Sequence, residues 1–390
     1  MTSSEAIRST VADVDLDAIA SNLAAIRERA KADVIAVVKA DGYGHGAEAV
    51  AETCFEAGAI IIAVATVEEG LALRESGING PILVFLGATD SSEVAHAVAQ
   101  DLVLVVWDVE RARAVSAAAT ALRRDARVHF KVDTGLTRLG APLSEAAARY
   151  RAIASLPHVE IDGIFTHFAT ADEVDVSSDR VQLERFREVL ASVGDHPRLV
   201  HVAASGGVAA FGAIEGMTAV RTGLAVYGLH AAPHLIRALP LQAALAWRSR
   251  VHRLAEVPAG TGVSYGLEYR LPRDGRIATV PVGYGDGLPR VAGKRGAALI
   301  RGQRVPFAGR VCMDLVMFDV TDIDGVREGD EVVLIGAQAG ARQTAEDLAD
   351  ACGTINYEIV TGIRRRVPRR YFRGGQLVAT RTLGQGYRGR

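Results

Sequence analysis

Short runs of apolar residues recur between Val34 and Tyr227, and segments of helical period separate them. The runs lack apolar–polar alternation, which is the pattern of strands buried on both faces of a parallel sheet. They predict eight strands: Val34–Val38, Ala59–Ala65, Pro81–Leu86, Leu102–Trp107, Val128–Val132, Val159–Phe165, Leu199–Ala203 and Val220–Tyr227.

The segments between the runs carry apolar residues three and four positions apart, as helices with one buried face do. They predict helices at Asp15–Ala30, Ala47–Ala57, Val67–Ser76, Val109–Arg123, Ser144–Leu156 and Asp179–Val193. Eight strand–helix units over this length fit a TIM (β/α)8 barrel better than an open sheet. The predicted fold class is therefore α/β, with a barrel as its N-terminal part.

The pattern changes near residue 240, where helical periodicity fades and Gly and Pro punctuate short apolar runs. This favours a C-terminal, mostly β domain with one helix near Thr344–Ala351. Its predicted strands are Arg250–Val257, Arg276–Val282, Ala297–Ile300, Val316–Val320 and Glu331–Ile335, and the basic run Arg364–Arg373 is interpreted as a terminal strand. We place the boundary near Leu239–Pro240, so that residues 1–239 form the barrel domain and residues 240–390 the β domain.

Composition narrows the class of protein further. A chain of 390 residues exceeds the usual size of one core, and a net charge of −2 gives no reason to expect a nucleic-acid or membrane partner. Three separated cysteines predict reduced thiols and no metal site. Residues 1–13 hold no apolar signal core and no stretch has membrane-spanning length, so we expect a cytoplasmic protein.

Lys39 directly follows the first predicted barrel strand, and glycines at positions 42, 44 and 46 follow it. A lysine held at the exit of a buried strand is poorly solvated and loses its proton more easily. Such an amine can form a Schiff base with a carbonyl compound. The glycines let the backbone of this loop pass close to a ligand.

Other polar side chains fall where predicted strands end, which in a TIM barrel is the end that carries the chemistry. They are Arg138 after the fifth strand, His167 after the sixth, Ser205 after the seventh and Arg221 within the eighth. Each alone is more often structural, but their convergence at one end of a barrel predicts an active site there.

The motif Lys39-Ala-Asp-Gly-Tyr-Gly-His-Gly46 resembles the cofactor-lysine motif of alanine racemases, which are fold-type III enzymes that use pyridoxal 5′-phosphate (PLP). The resemblance covers nearly the whole chain, and several separate motifs carry it. They are Lys131-Val-Asp-Thr-Gly-Leu-Thr-Arg138, Thr166-His167-Phe168, the segment from Arg221 to Gly228, Ser264-Tyr265-Gly266, Gly283 to Gly287, Cys312-Met313-Asp314 and Asn356-Tyr357-Glu358.

The resemblance implies a PLP site and assigns its residues. Lys39 holds the cofactor, Arg138 approaches its phenolic oxygen and the substrate carboxylate, His167 lies against its ring, and Arg221 faces its pyridine nitrogen. The groups implied at the phosphate are the hydroxyls of Tyr43, Ser205 and Tyr357 and the backbone N–H groups of Gly223 and Leu224.

Racemisation needs an acid–base group on each face of the substrate. The resemblance implies that Lys39 serves one face and Tyr265 the other, interconverting L-alanine and D-alanine and supplying D-alanine for peptidoglycan. A free phenol has a pKa of about 10, so Tyr265 requires nearby positive charge to act as a base near neutral pH.

Arg221 cannot give up its proton, so the pyridine nitrogen opposite it is expected to stay unprotonated. A carbanion at Cα is then less delocalised and is reprotonated quickly, which disfavours transamination.

In the family, Tyr265 and Met313 reach the site of a neighbouring subunit, which implies a head-to-tail homodimer with shared active sites. Lys131 matches a position that is carbamylated in some members, and an unmodified lysine paired with an acid is equally compatible with the sequence. The resemblance also places Asp172, Tyr284, Arg290 and Arg310 along the path of the substrate into the site.

The sequence departs from the family pattern at Ala204, where an Asn is usual, at Leu136, where a Met is usual, and at Thr222, where a Pro is usual. Ala204 lacks an amide near the phosphate, which predicts weaker PLP binding or a broader choice of side chain.

Three alternatives stay open. A racemase of serine or another amino acid would share every catalytic residue. A fold-type III decarboxylase would use a cysteine such as Cys312 as its acid, although Met-Asp follows this cysteine as in the racemases. A non-catalytic PLP-binding protein would lack the β domain.

Overall fold

The structure is a computed structural model that describes residues 8–384 and 386–389. The chain divides into two compact units. A barrel unit holds Ala18–Gly42 and Ala47–Gln242, and a second unit holds the N-terminal residues through Asp17, the short segment Tyr43–Gly46 and everything from Ala243 onwards. The boundary near Leu239–Pro240 stays a prediction. Of the segment 1–13, for which the sequence predicts no apolar signal core, residues 1–7 lie outside the described residues.

The barrel unit is a closed parallel sheet of eight strands, as the sequence predicts. Each strand pairs with the next along the chain, and the last pairs with the first, with Ala219 opposite Asp33 and Thr222 opposite Ala36. The strands are Asp33–Val37, Ile61–Val64, Ile82–Val84, Leu102–Val106, Ala126–Asp133, Val159–Phe165, Leu199–His201 and Ala219–Thr222, and a two-residue strand, Ala141–Pro142, pairs with the fifth of them.

The strands are buried because their side chains fill both the barrel interior and the space under the helices; every residue of Leu102–Val106, for example, is buried. The helices around them are Leu16–Ala30, Ala47–Glu56, Val67–Glu75, Ser91–Ala99, Val109–Leu122, Leu143–Ala154, Ser177–Val193 and Ser205–Phe211, with 3-10 turns at Leu224–Tyr227 and Pro233–Ala238.

One predicted strand is too long. The apolar run Val220–Tyr227 is a strand only to Thr222, and Leu224–Tyr227 forms a 3-10 turn instead. Gly223, with a φ of −107° and a ψ of −84°, breaks the strand between the two segments. An apolar run does not distinguish a buried strand from a buried helical turn, so the sequence pattern alone could not place this break.

The second unit is mostly β, as predicted. Its largest sheet includes Val11–Asp15, which pairs antiparallel with Leu245–Arg250 and parallel with Arg369–Arg373. Further strands are Arg253–Val257, Gly262–Val263, Tyr269–Arg270, Gly275–Val280, Ala297–Ile300, Gln303–Pro306, Val316–Asp319, Glu331–Gln338, Ala341–Gln343, Gln376–Thr382 and Gly386–Gly389. Its helices are Ala345–Cys352 and Asn356–Gly362, with 3-10 turns at Tyr265–Leu267 and Arg290–Lys294.

Within the described part of the chain, no helix combines the length and the apolar composition needed to cross a membrane.

Candidate active site

Lys39 leads into a left-handed turn of the backbone. Ala40, Asp41 and Gly42 have φ values of 52°, 57° and 60° with ψ between 44° and 49°. Consecutive L-residues in this conformation cost about 1–2 kcal/mol each, because Cβ approaches the following carbonyl oxygen. The turn therefore depends on contacts that hold it.

Three hydrogen bonds hold this turn within the barrel unit. The Gly42 N–H donates to the Val38 carbonyl at 2.7 Å, and the Ala40 N–H donates to Glu69 Oε1 at 2.7 Å. The Asp41 carboxylate accepts from the N–H of Ala47, where the next helix begins, at 3.2 Å. The backbone that follows Lys39 is thus held by the end of its own strand, by Glu69 and by the start of the next helix.

Four cationic side chains act on one another at the carboxyl end of the barrel: Lys39, Lys131, Arg138 and Arg221. None of them forms an ion pair with a carboxylate anywhere in residues 8–384. Burial and then Arg138 lower the pKa of Lys39, while the charge of Glu69 raises it. The cluster is a strong site for an anion, and it favours the uncharged form of the Lys39 amine.

Lys131 is the most perturbed lysine of the cluster. Burial, followed by the charges of Arg221 and Arg138, lowers the pKa of its amine to about 8. Carbon dioxide adds only to an uncharged amine, and the lowered pKa makes this form more accessible near neutral pH than it is for an exposed lysine.

We expect Lys131→Met to stabilise the unmodified protein at pH 7 by about 2–3 kcal/mol relative to the parent. The pKa of about 8 in the folded chain lies below the unfolded value of 10.5, so unfolding takes up a proton between these pH values and parental stability rises with pH. The advantage should therefore vanish near pH 10.5. Urea unfolding in CO2-free buffer measures it, with exposed Lys294→Met as the control; an advantage independent of pH would contradict the prediction.

The Arg221 guanidinium is fully buried and nearly all of its donors are used. One terminal nitrogen donates to His201 Nδ1 at 2.8 Å and to the His201 carbonyl at 3.0 Å. The other bonds the Thr166 carbonyl at 2.7 Å, His167 Nδ1 at 3.0 Å and the Val202 carbonyl at 3.1 Å. The remaining Nε–H has no partner among residues 8–384 and is the donor available to a ligand.

These contacts fix the tautomers behind Arg221, because a guanidinium only donates. His201 must accept at Nδ1 and so carries its proton on Nε2, which donates to His129 Nδ1 at 3.0 Å. His129 then carries its proton on Nε2, 3.9 Å from the Asp162 carboxylate. Burial lowers the pKa of both histidines, in keeping with two neutral rings.

His167 lies on the opposite side of Arg221 from this pair. Since its Nδ1 accepts from Arg221, its proton is on Nε2. Burial and the neighbouring cations, Arg221 first, hold the pKa of His167 well below its usual value. Phe165 supports the arrangement: its ring stacks on His201 with centroids 4.8 Å apart, and the Arg221 guanidinium lies 4.7 Å from it.

Burial and Arg138 lower the pKa of Arg221 to about 9, so its guanidinium keeps its charge at neutral pH.

Two helical N-termini meet at Ser205 and Leu224. No side chain caps either of them, because Ala204 and Gly223 occupy the cap positions. The buried Ser205 hydroxyl accepts from the Ala225 N–H at 3.1 Å and retains its own proton for donation. Uncapped N–H groups beside a hydroxyl form a suitable site for a phosphate.

The second unit holds Tyr265 in a strained turn. Ser264 has a φ of 63° and a ψ of −177°, a region that glycine alone adopts readily. Its hydroxyl donates to the Arg310 carbonyl at 2.6 Å and lies 3.5 Å from Cys312 Sγ. The turn presents Tyr265 to solvent with 70% of its surface exposed.

Met313 follows the segment that holds this turn, and 53% of its surface is exposed. The Tyr284 N–H donates to the Cys312 carbonyl at 3.0 Å, and the Gly285 N–H donates to the Met313 carbonyl at 2.8 Å. The Gly283–Gly287 motif thus positions the loop that carries Met313.

Tyr43 and Tyr357 also belong to the second unit, where their ring centroids are 6.2 Å apart. Burial, followed by the charge of Tyr357, raises the pKa of Tyr43.

The glycines after Lys39 allow other atoms to come close to the backbone of this loop. At Gly44 and Gly46 those atoms belong to the protein and not to a ligand. A Cβ at Gly44 would overlap the Val360 carbonyl oxygen, and one at Gly46 would overlap the Tyr371 hydroxyl. The sequence pattern predicts the need for small residues and cannot show what they approach.

We expect Gly44→Ala to lower the free energy of unfolding by more than 3 kcal/mol, since a φ of 78° and a clash with backbone combine there. Gly340→Ala is the matched control, because Gly340 has a φ of 85° and nothing within 4 Å of a Cβ. Urea unfolding compares the two variants. Equal losses would mean that the clash with Val360 is relieved without cost.

The barrel unit brings together Lys39, Arg138, His167, Ser205, Arg221, Gly223 and Leu224, and the second unit holds Tyr43, Tyr265, Met313 and Tyr357. Three further residues, Glu69, Phe165 and His201, contact this set and were not predicted. The Thr66-x-x-Glu69 spacing of a capping box is a signal for the first. The others depend on strand register, which the sequence does not supply.

Comparisons with known proteins agree with this architecture. Residues 14–231 match the family model "Alanine racemase, N-terminal domain", and residues 244–371 match "Alanine racemase, C-terminal domain". The alanine racemase of Symbiobacterium thermophilum is 45% identical over 95% of this chain and 99% of its own. That of Halothermothrix orenii is 42% identical over 93% and 97%.

Solved structures give the same result. Alanine racemase from Bacillus anthracis with bound L-Ala-P is 36% identical and superposes with a TM-score of 0.89 over 97% of this chain and 98% of its own. The enzyme from Streptomyces lavendulae, a D-cycloserine producer, is 39% identical with a TM-score of 0.88 over 95% and 98%.

The fold and the matches define an isomerase that acts on an amino acid. The chain belongs to the alanine racemase family.

Proposed function

We propose that this isomerase interconverts L- and D-alanine by a two-base mechanism with PLP, with Lys39 and Tyr265 as the bases. The observation that carries the proposal is the cluster of Lys39, Lys131, Arg138 and Arg221 at one end of the barrel, without a carboxylate counterion among residues 8–384.

The residues of the barrel unit fit PLP. The uncapped N-termini at Ser205 and Leu224 suit its phosphate, and Arg138 suits the phenolic oxygen. The Arg221 Nε–H suits the pyridine nitrogen, because the other four N–H groups of this guanidinium are occupied. Tyr43 and Tyr357 remain predicted phosphate ligands.

When bound, PLP withdraws electrons from Cα of the attached amino acid and so acidifies its hydrogen. Lys39 binds the cofactor and takes or returns the proton on one face, a role favoured by the lowered pKa of its amine. Tyr265 serves the other face. Arg221 donates and cannot accept, so it leaves the ring nitrogen unprotonated and limits transamination.

Each site takes Tyr265 and Met313 from a second copy of the chain, in a head-to-tail homodimer. Both side chains lie in the second unit and are more than half exposed in the single chain. Exposed aromatic and apolar side chains are typical of a surface that a second copy covers, which supports the dimer.

The proposed setting is cytoplasmic, where the enzyme supplies D-alanine for peptidoglycan. This part of the proposal follows from membership of the alanine racemase family alone.

Chiral chromatography of the PLP-loaded protein with L-alanine, L-serine and a basic amino acid tests the substrate. Fast formation of D-alanine with little turnover of the others supports the proposal, with Lys39→Ala as the blank. Preference for another amino acid would keep the mechanism and change the substrate. No D-product despite bound cofactor would refute racemisation.

A further inference from the structure

We propose that Glu69 is a positioning residue for Lys39: its carboxylate holds the left-handed turn after the lysine and sets the proton affinity of the lysine amine. The inference rests on the proposed role of Lys39 as a base and adds a residue that is distant from it in sequence.

The Glu69 carboxylate makes more contacts than a helix cap requires. Oε2 accepts from the N–H groups of Ala65 at 2.7 Å and Thr66 at 3.4 Å, which closes the capping box of the helix Val67–Glu75. Oε1 turns away from that helix and accepts from the Ala40 N–H at 2.7 Å. One carboxylate thus joins the start of a helix to the residue that follows Lys39.

A second capping box shows what the cap alone needs. At the helix Ala345–Cys352, Asp347 Oδ2 accepts from both the N–H and the hydroxyl of Thr344, at 2.8 and 3.1 Å. Within residues 8–384, the Asp347 carboxylate accepts no hydrogen bond from beyond its own helix start, whereas that of Glu69 bridges two segments. The bridge to Ala40 is therefore an addition to the capping function.

The charge of Glu69 acts on Lys39 as well. Burial and Arg138 lower the pKa of Lys39, and Glu69 is the group that raises it. Lys131, on the fifth barrel strand, and His167, just after the sixth, also act on this amine. The negative charge of Glu69 thus partly offsets the effect of the neighbouring cations on the Lys39 amine.

Glu69→Gln tests both effects, because an amide keeps the size of the side chain and removes its charge and one acceptor oxygen. Competitive acetylation of the cofactor-free chain, read by mass spectrometry at a series of pH values, measures the proton affinity of Lys39 directly. We expect the pKa of Lys39 to fall by about one pH unit. This readout does not depend on racemase activity.

In the PLP-loaded enzyme, Glu69→Gln should lower kcat about 10-fold because Lys39 is less well aligned. The isotope effect of α-deuterated alanine should rise for the enantiomer whose proton Lys39 removes, and stay unchanged for the other. A loss of general stability would instead affect both enantiomers alike.

Two controls separate positioning from stability. Asp347→Asn replaces the carboxylate of the second capping box by an amide, and Glu68→Gln removes a neighbouring exposed charge. In both variants the pKa of Lys39 and the isotope effects should equal those of the parent. Thr66→Ala breaks the cap while leaving the Glu69 carboxylate, so Lys39 should keep its parental pKa. If Glu69→Gln does not fold, Glu69→Asp replaces it: the charge stays but the shorter side chain loses the bond to the Ala40 N–H, so the same enantiomer-selective change in isotope effect is expected.

An unchanged Lys39 pKa in Glu69→Gln, or isotope effects that change equally for both enantiomers, would overturn the inference. Failure of the two-base proposal would give a different result. In that case Lys39→Arg and Tyr265→Phe would not each change the isotope effect of one enantiomer selectively.

Discussion

An equimolar mixture of Lys39→Ala and Tyr265→Phe chains should recover about a quarter of the parental racemase activity, although each variant alone is nearly inactive. Removal of one acid–base group costs about 10²–10⁴-fold in rate. Tyr265→Phe should leave the fold intact, since the hydroxyl it removes belongs to a side chain that is 70% exposed.

The recovery follows if the sites are shared between two chains, as proposed above. If each site combines Lys39 of one chain with Tyr265 of the other, a mixed dimer has one fully intact site and one doubly defective site. Random pairing makes about half of the dimers mixed, which gives about a quarter of the parental activity. If both residues came from the same chain, no mixed dimer would hold an intact site.

Co-expression with two different affinity tags isolates the mixed dimer, for which we expect about half of the parental activity. A mixture of Lys39→Ala with Lys39→Met is the control and should stay inactive. An inactive mixed dimer, purified through both tags, would contradict the shared site.

Arg221→Lys should lower kcat about 10²–10³-fold and raise the proportion of 2-oxo acid formed per racemisation. A lysine ammonium has three donors and cannot replace a guanidinium that bonds His201, Thr166, His167 and Val202 together. Unlike Arg221, a lysine buried beside Arg138 can release its proton to a ring nitrogen, which favours transamination.

Chiral chromatography and a 2-oxo acid assay on the same sample measure the two products. Arg185→Lys is the matched control, because Arg185 bonds the Thr134 carbonyl at 3.0 Å and is not part of the cationic cluster. A parental product ratio in Arg221→Lys would mean that the identity of the cation does not control the side reaction.

Patterns of apolar residues were sufficient for the elements whose burial is uniform. The run Leu102–Trp107 predicts the strand Leu102–Val106, and the segment Val109–Arg123 predicts the helix Val109–Leu122. The predicted strand Arg250–Val257, by contrast, contains all of the strand Arg253–Val257 but only the last residue of Leu245–Arg250, and these two strands belong to different sheets. No local pattern records which sheet a strand joins.

The turn after Lys39 was beyond sequence analysis for a different reason. Ala40 and Asp41 disfavour a left-handed conformation. Their local preference therefore predicts a different backbone from the left-handed turn in the structure. One of the three hydrogen bonds that hold it comes from Glu69, which is 29 positions away in the sequence. Similarly, the convergence of polar residues predicts the cationic cluster, while the pairing of His129 with His201 depends on the register of two strands.

The strand Val11–Asp15 has a consequence for the order in which the protein is made. Asp13 pairs with Arg370, which lies 357 positions later in the chain, so this strand leaves the ribosome long before its parallel neighbour exists. At ordinary rates of synthesis the interval is roughly 20 to 70 seconds. The barrel strands from Asp33 to Thr222 are all complete within that time, and the sheet that holds both ends of the chain can close only after them. Folding during synthesis is therefore sequential: the unit that carries Lys39 assembles first, and the unit that carries Tyr265 assembles last.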